Sequence, residues 1–568
     1  VTQPNQPSGY AARPWLGLLS PAQRAPVSPP PSLLHAFREA VARAPGRTAL
    51  AYFDGRVGYA ETDALSDSVA GHLAAHGIGR GDRVAVMLQN TPHFVLAVLA
   101  AWKAGAVVVP LNPMYKAGEI GHILRDSGAA ALVCDGRTWA AYGAGAARGT
   151  AVRTVLTASD RDFQTRDDPR VFAPAEAAPE AAPEEDPAAS GDPLTPADLT
   201  AVARRGHPAP PDPGLTAADT ALISYTSGTS GTPKGAMNPH GALTHNAVRQ
   251  VTGHPLPEGA TYFALAPLFH ITGMVCELGA CFANAGTLVL AHRFEAGVVL
   301  DAFLAHRPAY TVGPATAFMA LAAHPEATAD HFSSFQVLSS GGAPLPPALV
   351  ERLRAAYGFY LRNGYGLTEC TAPCASVPVH LEAPVDPASG TLSVGLPGAD
   401  TLVRILDEHG AELPFGETGE IAVRGPQVVP GYWGLPADTA KAFPDGELRT
   451  GDVGFMDADG WLYVVDRKKD MINASGFKVW PREVEDVLYT HPAVREAAVV
   501  GVPDPYRGES VKAYVSLRPG TSAEPEELSA YCAARIAAYK YPREVEILPV
   551  LPKTTSGKIL RRELRDRG

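Results

Sequence analysis

Tyr225-Thr-Ser-Gly-Thr-Ser-Gly-Thr-Pro-Lys-Gly-Ala-Met237 follows directly on the apolar run Ala221-Leu222-Ile223. Its thirteen residues hold three glycines, five aliphatic hydroxyls and one lysine. A short buried strand running into such a loop predicts a phosphate clamp. Glycines let backbone N–H groups turn toward an anion, hydroxyls add donors, and the lysine adds positive charge. The spacing Gly-x-x-x-x-Gly-Lys-Ser/Thr is absent, so this is not a Walker A loop. A Gly/Ser/Thr linker has a similar composition. The strand in front and Pro233-Lys234-Gly235 inside favour a loop that holds a nucleoside triphosphate.

Working outward, apolar strands alternate with helical patterns on the N-terminal side. Val84–Leu88, Ala106–Pro110 and Ala130–Cys134 read as strands, and Phe94–Ala104 as a helix. This alternation indicates an α/β layered domain with a largely parallel sheet. Residues 165–216 break it. Ala173-Pro-Ala-Glu-Ala-Ala-Pro-Glu-Ala-Ala-Pro-Glu-Glu-Asp-Pro187 cannot bury enough apolar surface to offset the entropy of ordering, which predicts a solvated acidic Pro/Ala-rich insertion. Alternation resumes at Ala221 and runs to about residue 465. The charged stretch Asp466-Arg-Lys-Lys-Asp470 suits a hinge. Beyond it lies a compact unit with a helix opening at Pro481, strands at Ala497–Val502 and Val511–Leu517, and a helix over Glu526–Ala538. The division expected is a loosely held N-terminal arm over 1–34, a large domain over 35–466 and a small one over 467–568. Ser32 is placed to cap a helix over Leu33–Ala44.

At 568 residues the chain exceeds one ordinary core. A net charge of -11 argues against a nucleic-acid surface. The six cysteines form no Cys-x-x-Cys pair, and a reducing cytoplasm is the expectation. No run of eighteen apolar residues predicts a transmembrane helix, and no signal pattern opens the chain.

Further motifs carry modest weight singly. Tyr365-Gly-Leu-Thr-Glu369 joins a glycine turn to a hydroxyl and a carboxylate, a pair suited to phosphate and Mg²⁺. Thr450-Gly451-Asp452 offers a carboxylate to two ribose hydroxyls. Lys553 and Lys558 bracket a flexible tip. In this order, together with Pro267-Leu-Phe-His270, Gly341-Gly-Ala-Pro344, Asn363–Glu369, Asp466–Glu485 and Pro552–Leu560, they resemble the adenylate-forming superfamily: acyl-CoA synthetases, peptide synthetase adenylation domains and firefly luciferase. The likeness covers roughly residues 35–565 outside the acidic insertion. Ser475-Gly-Phe-Lys-Val-Trp-Pro-Arg-Glu-Val-Glu485 is most similar to bacterial fatty-acyl-CoA ligases.

The resemblance implies an α/β fold: a large N-terminal domain of layered sheets and helices with a small mobile C-terminal α+β domain. It also implies ATP, Mg²⁺ and coenzyme A. Thr226, Ser227, Gly228, Thr229, Ser230, Gly231, Thr232 and Lys234 would clamp the β- and γ-phosphates. Gly341, Gly342, Ala343, Asn363, Gly364, Tyr365 and Gly366 would border the nucleotide. Thr368 would touch the α-phosphate, Glu369 would hold Mg²⁺, and Asp452 and Arg467 would grip the ribose. Lys558 would bridge the acid and the α-phosphate, and Lys469 would be the hinge. Ser475, Gly476 and Phe477 would face the pantetheine. His270 would gate the acyl site, and His245, Gly273, Val312, Gly313, Ala315 and Gly366 would line it. Lys558, Lys234, His270, Thr368 and Glu369 are the catalytic set this implies.

The leading expectation is an acyl-CoA ligase for a medium- or long-chain fatty acid, with an aryl acid competing. The chain stops soon after the Lys558 motif, so no carrier domain is expected to follow. One alternative is an acyl-AMP ligase that loads a separate carrier protein. Another is adenylation of a different oxyacid, such as nitrite, for attack by an amine. Monomer and homodimer both stay open.

Overall fold

The computed structural model describes residues 9–172, 194–226, 233–467, 470–474, 477–504, 508–554 and 557–567. Ser227–Thr232, Lys469, Ser475, Gly476 and the Ala173–Pro187 stretch lie outside the described residues.

Four sheets carry the chain. A seven-stranded sheet runs in the order Ala197–Asp198, Thr154–Ala158, Ala131–Asp135, Arg83–Met87, Val107–Pro110, Thr220–Thr226, Lys234–Pro239. Its neighbours are parallel except the last pair, a hairpin in register Thr226↔Lys234. A nine-stranded sheet has a parallel middle formed by Leu361–Leu367, Val337–Ser340, Tyr310–Gly313, Thr261–Phe263, Thr287–Leu290 and Thr48–Tyr52. Helix Pro92–Lys103 is buried along its whole length, which explains why its apolar residues run all round rather than along one stripe. Trp102 donates its indole N–H to Ala221 O at 3.1 Å, and the buried Lys103 ammonium meets Asp63 at 2.6 Å and Asp67 at 2.7 Å. A four-stranded antiparallel sheet spans Leu402–Arg467. The last five-stranded sheet, from Ile472 to Ile547, has an apolar cluster of its own built on Val479, Val484, Leu488, Val499, Val515 and Leu528. Among the described residues no helix is long and apolar enough to cross a membrane, and all six cysteine thiols are buried and free.

Ser32 does cap its helix, accepting from His35 N at 3.2 Å, and the helix runs Leu33–Arg43. Three expectations need correction. The N-terminal arm is not loosely held from residue 9 onward. Tyr10, Trp15 and Leu19 are buried beside Val403, Ile405, Met456 and Trp461. Tyr10 and Phe415 rings lie 4.5 Å apart, and Gly460, at φ +93°, passes so close to Trp15 that a Cβ there would come within 2.7 Å. Singly spaced aromatics in Pro-rich text create no periodicity, so this anchorage left no pattern to read. The insertion is also narrower than 165–216. Val171 and Phe172 are buried, Ala197–Asp198 pairs with Leu156–Thr157, and helix Leu199–Arg204 buries Leu199, Val202 and Ala203. Asp198 caps that helix, accepting from Ala201 N at 2.6 Å. Finally, the helix expected over Glu526–Ala538 is Pro525–Ala533, and beyond it the chain turns toward strand Glu544–Ile547.

Trp15→Ala should lower the stability of the folded chain by about 3–5 kcal/mol, the usual cost of removing a fully buried tryptophan. Urea unfolding would measure it, and an unchanged midpoint would show that the arm contributes nothing.

Candidate active site

The hairpin Thr220–Thr226/Lys234–Pro239 delivers the ends of the glycine-rich loop to one edge of the seven-stranded sheet. Strand Lys234–Pro239 is held from outside by residues 431–433. Met237 N donates to Gly431 O at 3.0 Å and Trp433 N to Gly235 O at 2.7 Å. That places Tyr432 over the Lys234 side chain, whose ammonium lies 5.4 Å from the ring centroid and pairs with Asp438. Tyr432 donates its hydroxyl to Glu369 Oε1 at 2.9 Å. Burial, reinforced by the Glu369 charge, pushes the Tyr432 phenol far above its ordinary range and keeps it a donor. Lys234 and Glu369, distant in sequence, are thus joined through one tyrosine.

Asn238 fixes the second junction. It is fully buried and donates to Thr368 O at 2.9 Å and to Thr371 Oγ1 at 3.1 Å, stapling the hairpin to the Thr368–Cys370 turn. The backbone beyond that turn is left-handed at two non-glycine residues, Thr371 (φ +52°) and Ala372 (φ +77°). Such positions cost on the order of 1–3 kcal/mol each and persist where the surroundings over-determine them. Asn246 is one such constraint, donating to Thr371 O at 2.7 Å.

The strand Val337–Ser340 ends at Gly341-Gly342, beside Asn363 and Gly364 on the neighbouring strand Leu361–Leu367. Asn363 is buried and donates to Ser393 O at 3.1 Å. Tyr365 donates its hydroxyl to Asp452 Oδ2 at 2.7 Å, and Asp452 stands opposite Arg467 in the antiparallel register. Gly342, at φ +76°, faces Lys558. A Cβ there would lie 3.2 Å from Lys558 Cε and 3.6 Å from Nζ. Next to that lysine, Gly557 O accepts from Thr316 Oγ1 at 3.1 Å, and a Cβ on Gly557 would come within 2.5 Å of the same hydroxyl. The C-terminal lysine loop is therefore docked over the glycines of the large sheet.

His270 shares this neighbourhood. Burial and the charge of Lys558 lower its pKa to about 3, so it is neutral near pH 7. Thr272 N donates to its Nδ1 at 3.3 Å, which assigns the ring proton to Nε2.

Arg561, three residues past Lys558, ties the loop down. It makes a forked pair with Glu485 (2.8 and 2.7 Å), meets Asp466 at 3.0 Å and reaches Asp470 at 3.6 Å. Asp466 in turn accepts from Arg482 N at 3.0 Å and Glu485 from Val499 N at 2.8 Å. One guanidinium links the charged 466–470 stretch, the helix Pro481–Tyr489 and the lysine loop.

The residues expected to line the acyl site do not all converge. His245 points to Asp400 at 3.3 Å, in a cleft lined also by Arg249, Ser376 and Thr401, and is not placed with His270. Gly273, Gly313 and Gly366 are close-packing glycines: a Cβ would come within 2.3 Å of Pro267 O, 2.6 Å of a Leu265 methyl and 2.1 Å of Ala372 O respectively. Val312 and Ala315 are buried. Asn238, Thr316, Tyr432, Asp438 and Arg561 were missed. The aromatic pair Tyr432-Trp433 after Gly431, and the Arg561-Arg562 run after Lys558, were the available signals.

Residues 37–433 match the AMP-binding enzyme family, and residues 483–558 match the AMP-binding enzyme C-terminal domain. The feruloyl-CoA synthase of an Amycolatopsis species is 37% identical over 528 residues, covering 92% of this chain and 96% of that protein. The long-chain-fatty-acid–CoA ligase of Bacillus subtilis (strain 168) is 34% identical over 554 residues, covering 94% of each. The ATP-bound structure of MatB from Rhodopseudomonas palustris superposes with a TM-score of 0.81 at 28% identity, covering 94% of this chain and 98% of that one. Fold, site and relatives define an enzyme, an AMP-forming ligase of the acyl-CoA synthetase class, whose members use ATP, Mg²⁺ and coenzyme A. The chain belongs to the AMP-binding enzyme family.

Two outcomes follow from this geometry. Arg561→Ala should cost about 3–5 kcal/mol in the unfolding of the C-terminal sheet, because it strands Asp466 and Glu485 without their cation. Pairing it with Glu485→Gln should recover part of that loss, and an undiminished cost in the double variant would contradict the pairing. In addition, His240 and His254 are held near pKa 4 by burial and His270 near 3, below the ordinary 6.5. The unfolded chain binds these protons first as pH falls, so this contribution to stability is complete above pH 6.5 and is lost progressively down to about pH 4 for His240 and His254 and about pH 3 for His270. Thermal midpoints flat across that window would refute it.

Proposed function

We propose that the chain adenylates a carboxylic acid with ATP and passes the acyl group to the thiol of coenzyme A. The observation that carries this reading is Lys558 standing against Gly342 with the neutral His270 beside it. A cation fixed where charge accumulates in a transition state lowers the barrier by several kcal/mol. Lys558 is set to neutralise the acid's carboxylate and the α-phosphate as they meet. Being neutral, His270 adds an N–H without a second positive charge competing for the same anion.

The remaining roles follow from position. Thr226 and Lys234, with the loop 227–232 between them, would hold the β- and γ-phosphates. The Lys234–Asp438 pair keeps that ammonium in place beneath Tyr432. Gly341, Gly342, Ala343, Asn363 and Gly364 would border the base. Asp452, oriented by Tyr365, would accept from the ribose hydroxyls together with Arg467. The donor set fits Mg²⁺: Glu369 offers a hard carboxylate oxygen, already oriented by Tyr432, and this ion takes one or two protein carboxylates with its remaining ligands from phosphate and water. The ion supplies charge neutralisation on the phosphates. For the second half-reaction, Lys469 would turn as the hinge, carrying Lys558 away and bringing Ser475, Gly476 and Phe477 to the pantetheine path.

The acid proposed is a medium- or long-chain fatty acid, a reading the Bacillus relative supports. The relative named feruloyl-CoA synthase supports an aryl acid. Residence in a reducing cytoplasm fits the six free thiols. Free coenzyme A against a holo-carrier protein would separate the proposed acceptor from a carrier-loading role, and a panel of acids including nitrite would expose a different oxyacid.

Lys558→Ala should reduce acid-dependent pyrophosphate release by at least 10²-fold while sparing thiolysis of supplied acyl-adenylate. Normal pyrophosphate exchange in that variant would sink the assignment. A bulky residue at Gly476 should do the reverse and stall the enzyme after adenylation.

A further inference from the structure

Residues 429–439 form a small unit clasped against the site, and its parts close on one tyrosine. Gly431, at φ +153°, leaves little space for a side chain, since a Cβ there would come within 2.3 Å of Thr439 Cγ2. Thr439 Oγ1 accepts from Tyr432 N at 2.9 Å and donates to Leu435 O at 2.8 Å, which sets the entry to helix Pro436–Ala442. The bridge Ala236↔Tyr432 fixes the backbone of the tyrosine against the phosphate hairpin. Its ring packs with its centroid 5.5 Å from that of Phe443. Backbone and ring are thus held without any help from the hydroxyl.

The hydroxyl reaches a group that this packing does not need. Glu369 is already tied to the unit by its backbone, Val429 N donating to Glu369 O at 3.0 Å. The second tie, from the Tyr432 hydroxyl to Oε1 at 2.9 Å, acts on the side chain alone and leaves Oε2 to an ion. The same ring carries the Lys234 ammonium, 5.4 Å from its centroid and paired with Asp438 of the following helix. A cation over a tyrosine ring is attracted by the ring quadrupole. One side chain therefore touches both the carboxylate proposed for Mg²⁺ and the lysine proposed for the terminal phosphates. Burial, with the charges of Glu369 and Asp438, raises the phenol far above its ordinary range, so the hydroxyl stays a donor across the physiological range.

Resting on the proposed acyl-CoA ligase reading, we propose that Tyr432 is a positioning residue that makes the metal site and the phosphate clamp act as one: its hydroxyl holds Glu369 for Mg²⁺ while its ring holds Lys234 for the terminal phosphates. Ion and nucleotide then strengthen each other's binding, and by linkage the two effects are equal. A partner that orients a metal's own ligand is worth about 10–100-fold in metal affinity.

The test is calorimetric titration of the full-length enzyme with α,β-methylene-ATP, whose bridge cannot be cleaved, once with Mg²⁺ and once with EDTA, and with AMP for comparison. In the wild type Mg²⁺ should tighten binding of the analogue. Tyr432→Phe keeps the ring and loses the hydroxyl, so that gain should shrink by about 10-fold while the Mg²⁺-free and AMP affinities stay within about twofold. Tyr432→Leu loses both and should weaken Mg²⁺-free binding of the analogue as well, by a few-fold. In a Glu369→Ala background Tyr432→Phe should cost nothing further, because the hydroxyl acts through that carboxylate. Melting temperatures establish that the variants fold. No gain from Mg²⁺ in the wild type, an undiminished gain in Tyr432→Phe, a loss shared equally by AMP, or losses that add in the double variant overturn the inference and leave the ligase reading standing. Tyr432 variants that do not fold show a structural tyrosine and overturn it too. A wild type that binds neither nucleotide, and releases no AMP with any acid of the panel, overturns both.

Discussion

Parallel strands end together, and the chemistry of this molecule is arranged by that fact. In the nine-stranded sheet, the chain leaves Thr261–Phe263 toward His270, Tyr310–Gly313 toward Thr316, Val337–Ser340 toward Gly341-Gly342, and Leu361–Leu367 toward Thr368-Glu369. Each exit emerges at the carboxyl edge, where an open α/β sheet leaves a crevice for ligands. The seven-stranded sheet brings its hairpin to the same place, and Asn238 bonds that hairpin to the Thr368 turn. No one of these segments could hold a nucleotide alone; the sheet registers bring them within reach of each other.

A second constraint sits across the edge. Among the described residues the C-terminal unit meets the rest of the chain through polar contacts that include Thr316 with Gly557 and Arg561 with Asp466. An apolar interface would fix one arrangement. Buried ions gain little net stability once desolvation is counted, yet they demand particular partners. Such a contact specifies a geometry for Lys558 without committing the chain to it irreversibly, which suits an element whose proposed role in the second half-reaction requires it to leave. Arg561 is attached to both the lysine loop and the 466–470 stretch, so movement of either one must disturb the other.

Most of the layered architecture was legible because it is written in short-range periodicity. Strands at 84–88, 106–110 and 497–502, the Ser32 cap and the Pro481 start depend on local pattern and appear within three residues of where that pattern puts them. What escaped depends on distant partners. Trp15 is buried because Gly460 lets it approach, and helix Leu199–Arg204 is ordered because Ser68 donates to Val202 O. Composition around both segments is Pro-rich or acidic, so averaging over a window suppressed the few residues that anchor them. The site behaved likewise. Lys558, Glu369 and Asp452 stand inside distinctive motifs, whereas Asn238, Tyr432 and Arg561 matter only for what they touch. The glycines at 273, 313 and 366 were expected to line the acyl site, and each has a close neighbour where a side chain would stand.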